Sequence, residues 1–216
     1  MNQAENSEIK TLKFDIGYLF ACIPFFKADH PISALDCVSI GDGWMGASNG
    51  AAMVIVERDI FKGCDYLLSG DDVCALYKHI LSTQAINDDC FVDGFELRIV
   101  SDTEAIAVIN INQGEYEHLI DLMGYDRVDF KKVDIAEPDT VTLMAMQMPY
   151  FNPDLLSLFS KSGSCFAGNP IDFLRIIPTG LNSPIYVEMT NYMHGLLMPA
   201  TLGGDSLNFL KKEIDL

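Results

Sequence analysis

Gly41-Asp42-Gly43-Trp44-Met45-Gly46 has the Gly-x-Gly-x-x-Gly spacing with which a tight turn brings backbone amides against a pyrophosphate. That chemistry needs a helix opening at the third glycine. Here Ala47-Ser48-Asn49-Gly50 follows, and then Met53-Val54-Ile55-Val56, so the glycines read as part of a hairpin. Acidic residues recur as Asp71-Asp72 and Asp88-Asp89, with Asp126 and Asp129 further on. Each falls in a turn or at a helix start, where Asp satisfies local backbone amides. Cysteines stand at 22, 37, 64, 74, 90 and 165 without a Cys-x-x-Cys pair, and His30, His79, His118 and His194 lack zinc-like spacing. No Ser-His-Asp or Cys-His set can be identified from spacing. The expectation is a protein without catalytic residues, metal or cofactor, whose cysteines are reduced and buried.

The chemistry left open is recognition. The formal charge of −17 argues against a surface that simply coats nucleic acid or an anionic membrane, although it leaves room for a locally basic face. Of the 216 residues 49% are hydrophobic and 21% charged, enough for one large or two small domains. The apolar run 16–26 is too short to span a bilayer, so a cytoplasmic protein away from membranes is expected.

The elements follow from periodicity. Residues 11–14 alternate as a strand, and Asp15 can cap a helix from Ile16 to about Ala28, with a kink or early end at Pro24. Strands are expected at 33–40, 44–47 and 52–57, joined by Gly41-Asp42-Gly43 and by the hairpin signal Asn49-Gly50. A second unit opens with a strand at 65–69 and a helix from Gly70 to about Thr83, striped by Val73, Leu76, Tyr77, Ile80 and Leu81. Strands at 89–92, 96–101 and 105–110 complete it, with turns at Asp93-Gly94 and Asp102-Thr103, and 116–123 reads as a helical turn. After a charged linker, 126–138, comes a strand at 140–148. A helix then starts at Asn152-Pro153-Asp154, with N-cap, N1 proline and favourable acid in place, and stops at Lys161-Ser162-Gly163. Strands at 171–177, 184–189 and 192–198 follow, and 203–216 is a tail. Strand-helix-three-strands thus recurs three times.

This order, with Phe151-Asn152 opening the last helix and Leu197-Met198-Pro199 ending the last strand, resembles a DNA sliding clamp of the bacterial polymerase III beta type. The segment Leu35–Glu57 and the step Gly114-Glu115-Tyr116 resemble clamp segments too. The resemblance implies an α+β fold of repeated β-α-β-β-β units, with antiparallel sheets and helices on one face. It implies a clamp-like domain of two units at 1–125 and a shorter one at 126–216. It implies a non-enzymatic processivity factor that tethers replication or repair proteins to duplex DNA, or a clamp-fold binding module that does not encircle DNA. An enzyme of another class remains the third reading. Phosphates would meet Lys27, Lys78, His79 and Lys161 on the helices. DNA polymerase or other replication proteins would insert short peptides into a pocket built from Leu196, Met198 and Pro199, with Leu122 and Met123 as further candidates. Self-association, a homo-oligomer, would cover unpaired strand edges. Leu155-Leu156-Ser157-Leu158-Phe159 itself resembles such a docking peptide, but its Asn-Pro-Asp cap argues for a core helix.

Overall fold

The structure is a computed structural model that describes residues 10–26, 33–86, 92–111, 114–124, 130–133, 151–167, 174–180 and 183–199. The first unit contains β1 (Lys10–Lys13), α1 (Ile16–Ala21), β2 (Cys37–Gly41), β3 (Trp44–Ser48) and β4 (Ala52–Glu57). The second contains β5 (Tyr66–Ser69), α2 (Gly70–Ile86), β6 (Val92–Ile99), β7 (Glu104–Ile111) and β8 (Gly114–Asp121). A single turn, α3 (Phe130–Val133), precedes the third: α4 (Pro153–Ala167), β9 (Arg175–Ile177), β10 (Ile185–Thr190) and β11 (Met193–Leu197). The expected strand at 140–148, the linker at 126–129 and 134–138, and the tail from 203 lie outside the described residues.

The first two units exchange their leading strands. β1 joins the second unit's sheet, in the order β1-β6-β7-β8, through pairs such as Lys10↔Ile99. β5 joins the first unit's sheet through Cys37↔Ser69 and Val38↔Leu68. That sheet then continues into the third unit, because β11 pairs with β4 from Met193↔Val56 to Leu197↔Ala52. The result is a seven-stranded sheet, β5-β2-β3-β4-β11-β10-β9.

Strand alternation separates its two faces. On one, Val38, Ile40, Ala47, Val54, Val56 and Val187 are buried in one cluster with Val73, Leu76 and Ile80 of α2 and Phe159 of α4. The two long helices therefore share a face, as the repeated strand order predicts. On the other face Trp44, Met53, Ile55 and Leu196 close over Phe130 of α3. Burying a side chain of this size contributes about 1.5–3 kcal/mol, so the two clusters help hold the units together.

Several local expectations are corrected. α1 stops at Ala21 and passes into a 3-10 turn, Ile23–Phe25, because Pro24 has no N–H to continue the ladder. Residues 33–36 form a 3-10 turn before β2. Asp93-Gly94 is not a turn but a register shift inside β6, and 116–123 is not helical: Gly114–Asp121 is the edge strand β8. α4 runs past Gly163 to Ala167, where the buried Ser162 hydroxyl donates to the Ala21 carbonyl at 2.7 Å and ties it to α1. Leu81 leaves the apolar stripe, 44% exposed.

The five cysteines among the described residues are free thiols. Burial pushes the Cys22 thiol far up and that of Cys37 to about 11, so neither is a nucleophile. Among the described residues no helix is long and apolar enough to cross a membrane.

Candidate functional site

The outer face of the seven-stranded sheet holds an apolar cavity of about 540 Å³ where β4 meets β11. It is assembled from five separate stretches of chain. The β3–β4 hairpin supplies Ser48, Gly50, Ala51, Ala52 and Met53, and its shape is set locally. Asn49 Oδ1 accepts from the amides of Ala51 (3.0 Å) and Ala52 (2.9 Å), and the Ser48 hydroxyl donates to the Ala52 carbonyl at 3.0 Å. β11 and the residues after it supply Leu196 and Met198, and the Met198 amide donates to the Ala51 carbonyl at 2.9 Å. That bond fixes the Met-Pro exit of the last strand against the hairpin. Leu35, Phe130 and Pro184 close the remaining sides.

Leu35, Met53, Phe130 and Leu196 are buried at 7% exposure or less, whereas Met198 is 48% exposed at the rim. None of the lining residues is charged, and the one side-chain hydroxyl, that of Ser48, already donates within the hairpin. A site of this kind has no acid, base or nucleophile. What it can do is take apolar side chains out of water, and its volume lies in the range of ordinary ligand sites.

Of the five pocket residues predicted from sequence, Leu196 and Met198 line this cavity, and Pro199 follows directly at its rim without lining it. Leu122 and Met123 do not belong to it. They end β8 and attach it to β5, by the bridge Leu68↔Leu122 and the bond from the Met123 amide to the Leu67 carbonyl at 2.8 Å. Leu35, Met53, Phe130 and Pro184 are lining residues that sequence reasoning missed, and Phe130 is the largest of them. It is a lone aromatic in a charged stretch, and its ring meets Trp44 at 5.2 Å.

The glycine motif is explained by the same face. Gly43 turns the β2–β3 hairpin and no helix follows. A Cβ on Gly46 would stand 2.5 Å from the Val54 carbonyl oxygen and 2.9 Å from the Phe130 ring, so this position is glycine to admit Phe130.

The proposed DNA-facing residues are less convergent. Lys78 and Lys161 are exposed on α2 and α4, and Lys27 lies outside the described residues. His79 is half-buried, its ring stacked on Tyr116 at 4.0 Å and 12°. Asp71 and Asp154 are exposed on the same two helices, which leaves them without a cationic excess.

A larger open cleft, about 750 Å³, collects Lys13, Asp15, Asp42, Glu57, Arg58, Asp59 and Lys62. Its polar groups are largely taken by local structure. Lys13 pairs with Glu96 and Lys62 with Asp59, Asp15 caps the Gly17 amide at 2.8 Å, and Arg58 stacks between Tyr18 (5.2 Å) and Tyr192 (4.4 Å). Among the described residues no group of three or more His, Cys, Asp or Glu could hold a metal ion.

Comparison with solved structures defines the class of fold. The DNA polymerase III subunit beta of Borrelia burgdorferi, solved with a natural product, superposes with a TM-score of 0.60 at 12% identity over 94% of this chain and 67% of its own. The Bartonella birtlesii sliding clamp bound to griselimycin gives 0.63 at 11% identity, over 94% and 68%. The Thermotoga maritima beta subunit gives 0.56 at 12%, over 94% and 70%. No family model matches the chain, and no curated protein matches it in sequence. The chain has the sliding-clamp fold, an α+β architecture of antiparallel sheets. At these identities the likeness is one of fold.

Proposed function

We propose that this chain is a clamp-fold docking module for DNA replication or repair, which takes short apolar peptides of a DNA polymerase or other replication protein into the cavity at Leu196 and Met198. The observation that carries the reading is an uncharged, half-open cavity at the Met-Pro exit, in a chain whose structural neighbours are sliding clamps. Two buried leucine-sized side chains would supply roughly 3–6 kcal/mol before the costs of association, which points to weak binding, on the order of 0.1–10 mM. Met198→Glu tests it. The side chain is half exposed, so the fold tolerates the change, but a carboxylate at the rim must be desolvated when the site fills. Binding of a fluorescent peptide Gln-Leu-Ser-Leu-Phe should fall at least tenfold with the melting temperature unchanged. Equal binding by parent and variant would remove the site.

The processivity reading is the second, supported by the shared face of α2 and α4. There duplex DNA would meet Lys78, Lys161 and Lys27, with His79 beside them. Two to three phosphate contacts per chain give a slope of log affinity against log salt of only about −2 to −3, so retention would depend on encirclement by a homo-oligomer. Lys78→Glu with Lys161→Glu should abolish retention on closed circular DNA. Retention unchanged by the pair would leave the docking module alone.

A further inference from the structure

We propose that the cavity's resident occupant is the chain's own segment Ser206-Leu207-Asn208-Phe209-Leu210, folded back from the end of β11. The inference rests on the docking reading of the cavity and names what competes there. Residues 200–216 lie outside the described residues, and their sequence carries the argument. Met198 lines the cavity and Pro199 follows it, so the segment leaves from the rim of the site. Gly203-Gly204-Asp205-Ser206 is a turn signal, and the apolar residues Leu207, Phe209 and Leu210 come directly after it. From residue 199 to 207 the chain reaches at most about 26 Å at 3.3 Å per residue, far more than a return to the rim needs. The chemistry agrees. The lining is wholly uncharged, and Leu207, Phe209 and Leu210 bring three apolar groups within four residues, the content that a cavity of about 540 Å³ can bury.

A tethered occupant raises the threshold for any peptide from outside. Linkers of this length give effective concentrations on the order of 1 mM. If the segment binds with a dissociation constant near 0.1 mM, an external peptide should bind the full chain about tenfold more weakly than a chain with the site vacated.

The experiment uses three proteins: the full chain, a chain ending at Pro199, and a full-length chain with Leu207→Ser, Phe209→Ser and Leu210→Ser, which keeps its length should the shortened one fold poorly. Trp44, the one tryptophan, is buried with its ring tilted by 58° against that of Phe130, which lines the cavity, and so reports occupancy by fluorescence. A synthetic peptide of residues 203–216 should bind the shortened and triple-serine chains. It should bind the full chain about tenfold more weakly. Equal affinity for all three proteins would overturn the proposal, as would failure of the 203–216 peptide where Gln-Leu-Ser-Leu-Phe still binds, and in both cases the docking reading survives. A difference that disappears on dilution of the full chain would assign the segment to a second copy and overturn docking within one chain. Binding of neither peptide to any of the proteins would end the docking reading and this inference with it.

Discussion

Phe159→Ala is expected to destabilise the chain by about 3–5 kcal/mol, the usual cost of removing a fully buried aromatic ring. Phe159 joins α4 both to the turn after α1 and to the sheet. Its ring meets Phe25 edge-on at 5.0 Å, and it lies directly over Gly195 of β11. A Cβ built at 195 would fall 2.3 Å from that ring and 2.2 Å from the Met53 carbonyl oxygen, so glycine here is what lets α4 approach the sheet. Gly195→Ala should therefore be costly for the opposite reason, overpacking, at about 1–3 kcal/mol or more. For a chain of this size the first change corresponds to a drop of about 6–20 °C in melting temperature. Circular dichroism melts would check both, and a shift below about 2 °C for Phe159→Ala would mean that α4 is not held on the sheet as described. The same burial decides the ambiguous Leu155–Phe159 run: its last residue is fully buried, so it serves as core and not as an extended docking peptide.

What was legible in the sequence is what local chemistry dictates. Asn49-Gly50 placed a hairpin, Asn152-Pro153 started a helix, and the spacing of Val73, Leu76 and Ile80 located the buried side of α2. The repeat and its shared helix face followed from those signals. The misreadings arose where nonlocal contacts outweigh local preference. β8 carries Glu115, Glu117 and Asp121 on an exposed edge, and only the half-buried Tyr116 and His118 and the buried Ile120 mark its inner side. Asp93-Gly94 has turn composition, yet β6 absorbs it as an irregularity because β7 keeps pairing with β6 across it, at Val92↔Ile111 and again from Gly94↔Asn110. The cavity was half legible. Met198 and Leu196 follow from the Met-Pro ending, but Met53 meets Leu196 only through the β4–β11 pairing, and Phe130 arrives by packing on Trp44 and Gly46 of β3, neither of which a local pattern encodes.

A chain ending at residue 125 should fail to persist as a folded monomer, although its two units form a complete strand exchange. Removing the third unit uncovers β4, whose sequence Ala52-Met53-Val54-Ile55-Val56-Glu57 has one charge and no proline. An edge of that kind pairs with whatever strand it meets. The loss extends beyond the five register pairs between β4 and β11. The Glu57 amide loses the Tyr192 carbonyl at 2.8 Å, and Arg58 loses the Tyr192 ring at 4.4 Å. α1 loses the stack of Tyr18 on Phe166 at 5.6 Å and the bond from Ser162 to Ala21. All the residues of α1 except Ile16 are buried in the whole chain, so its α4 side would become an apolar surface beside the open edge. On this expectation the division near 126 would be one of repeats, whose two parts fold together. Sedimentation of the 1–125 fragment should show dimers or larger species at micromolar concentration, with a melt well below that of the whole chain. A monomeric fragment melting cooperatively near the parent's temperature would make residues 1–125 an independent domain and reduce the β4–β11 pairing to a contact between domains.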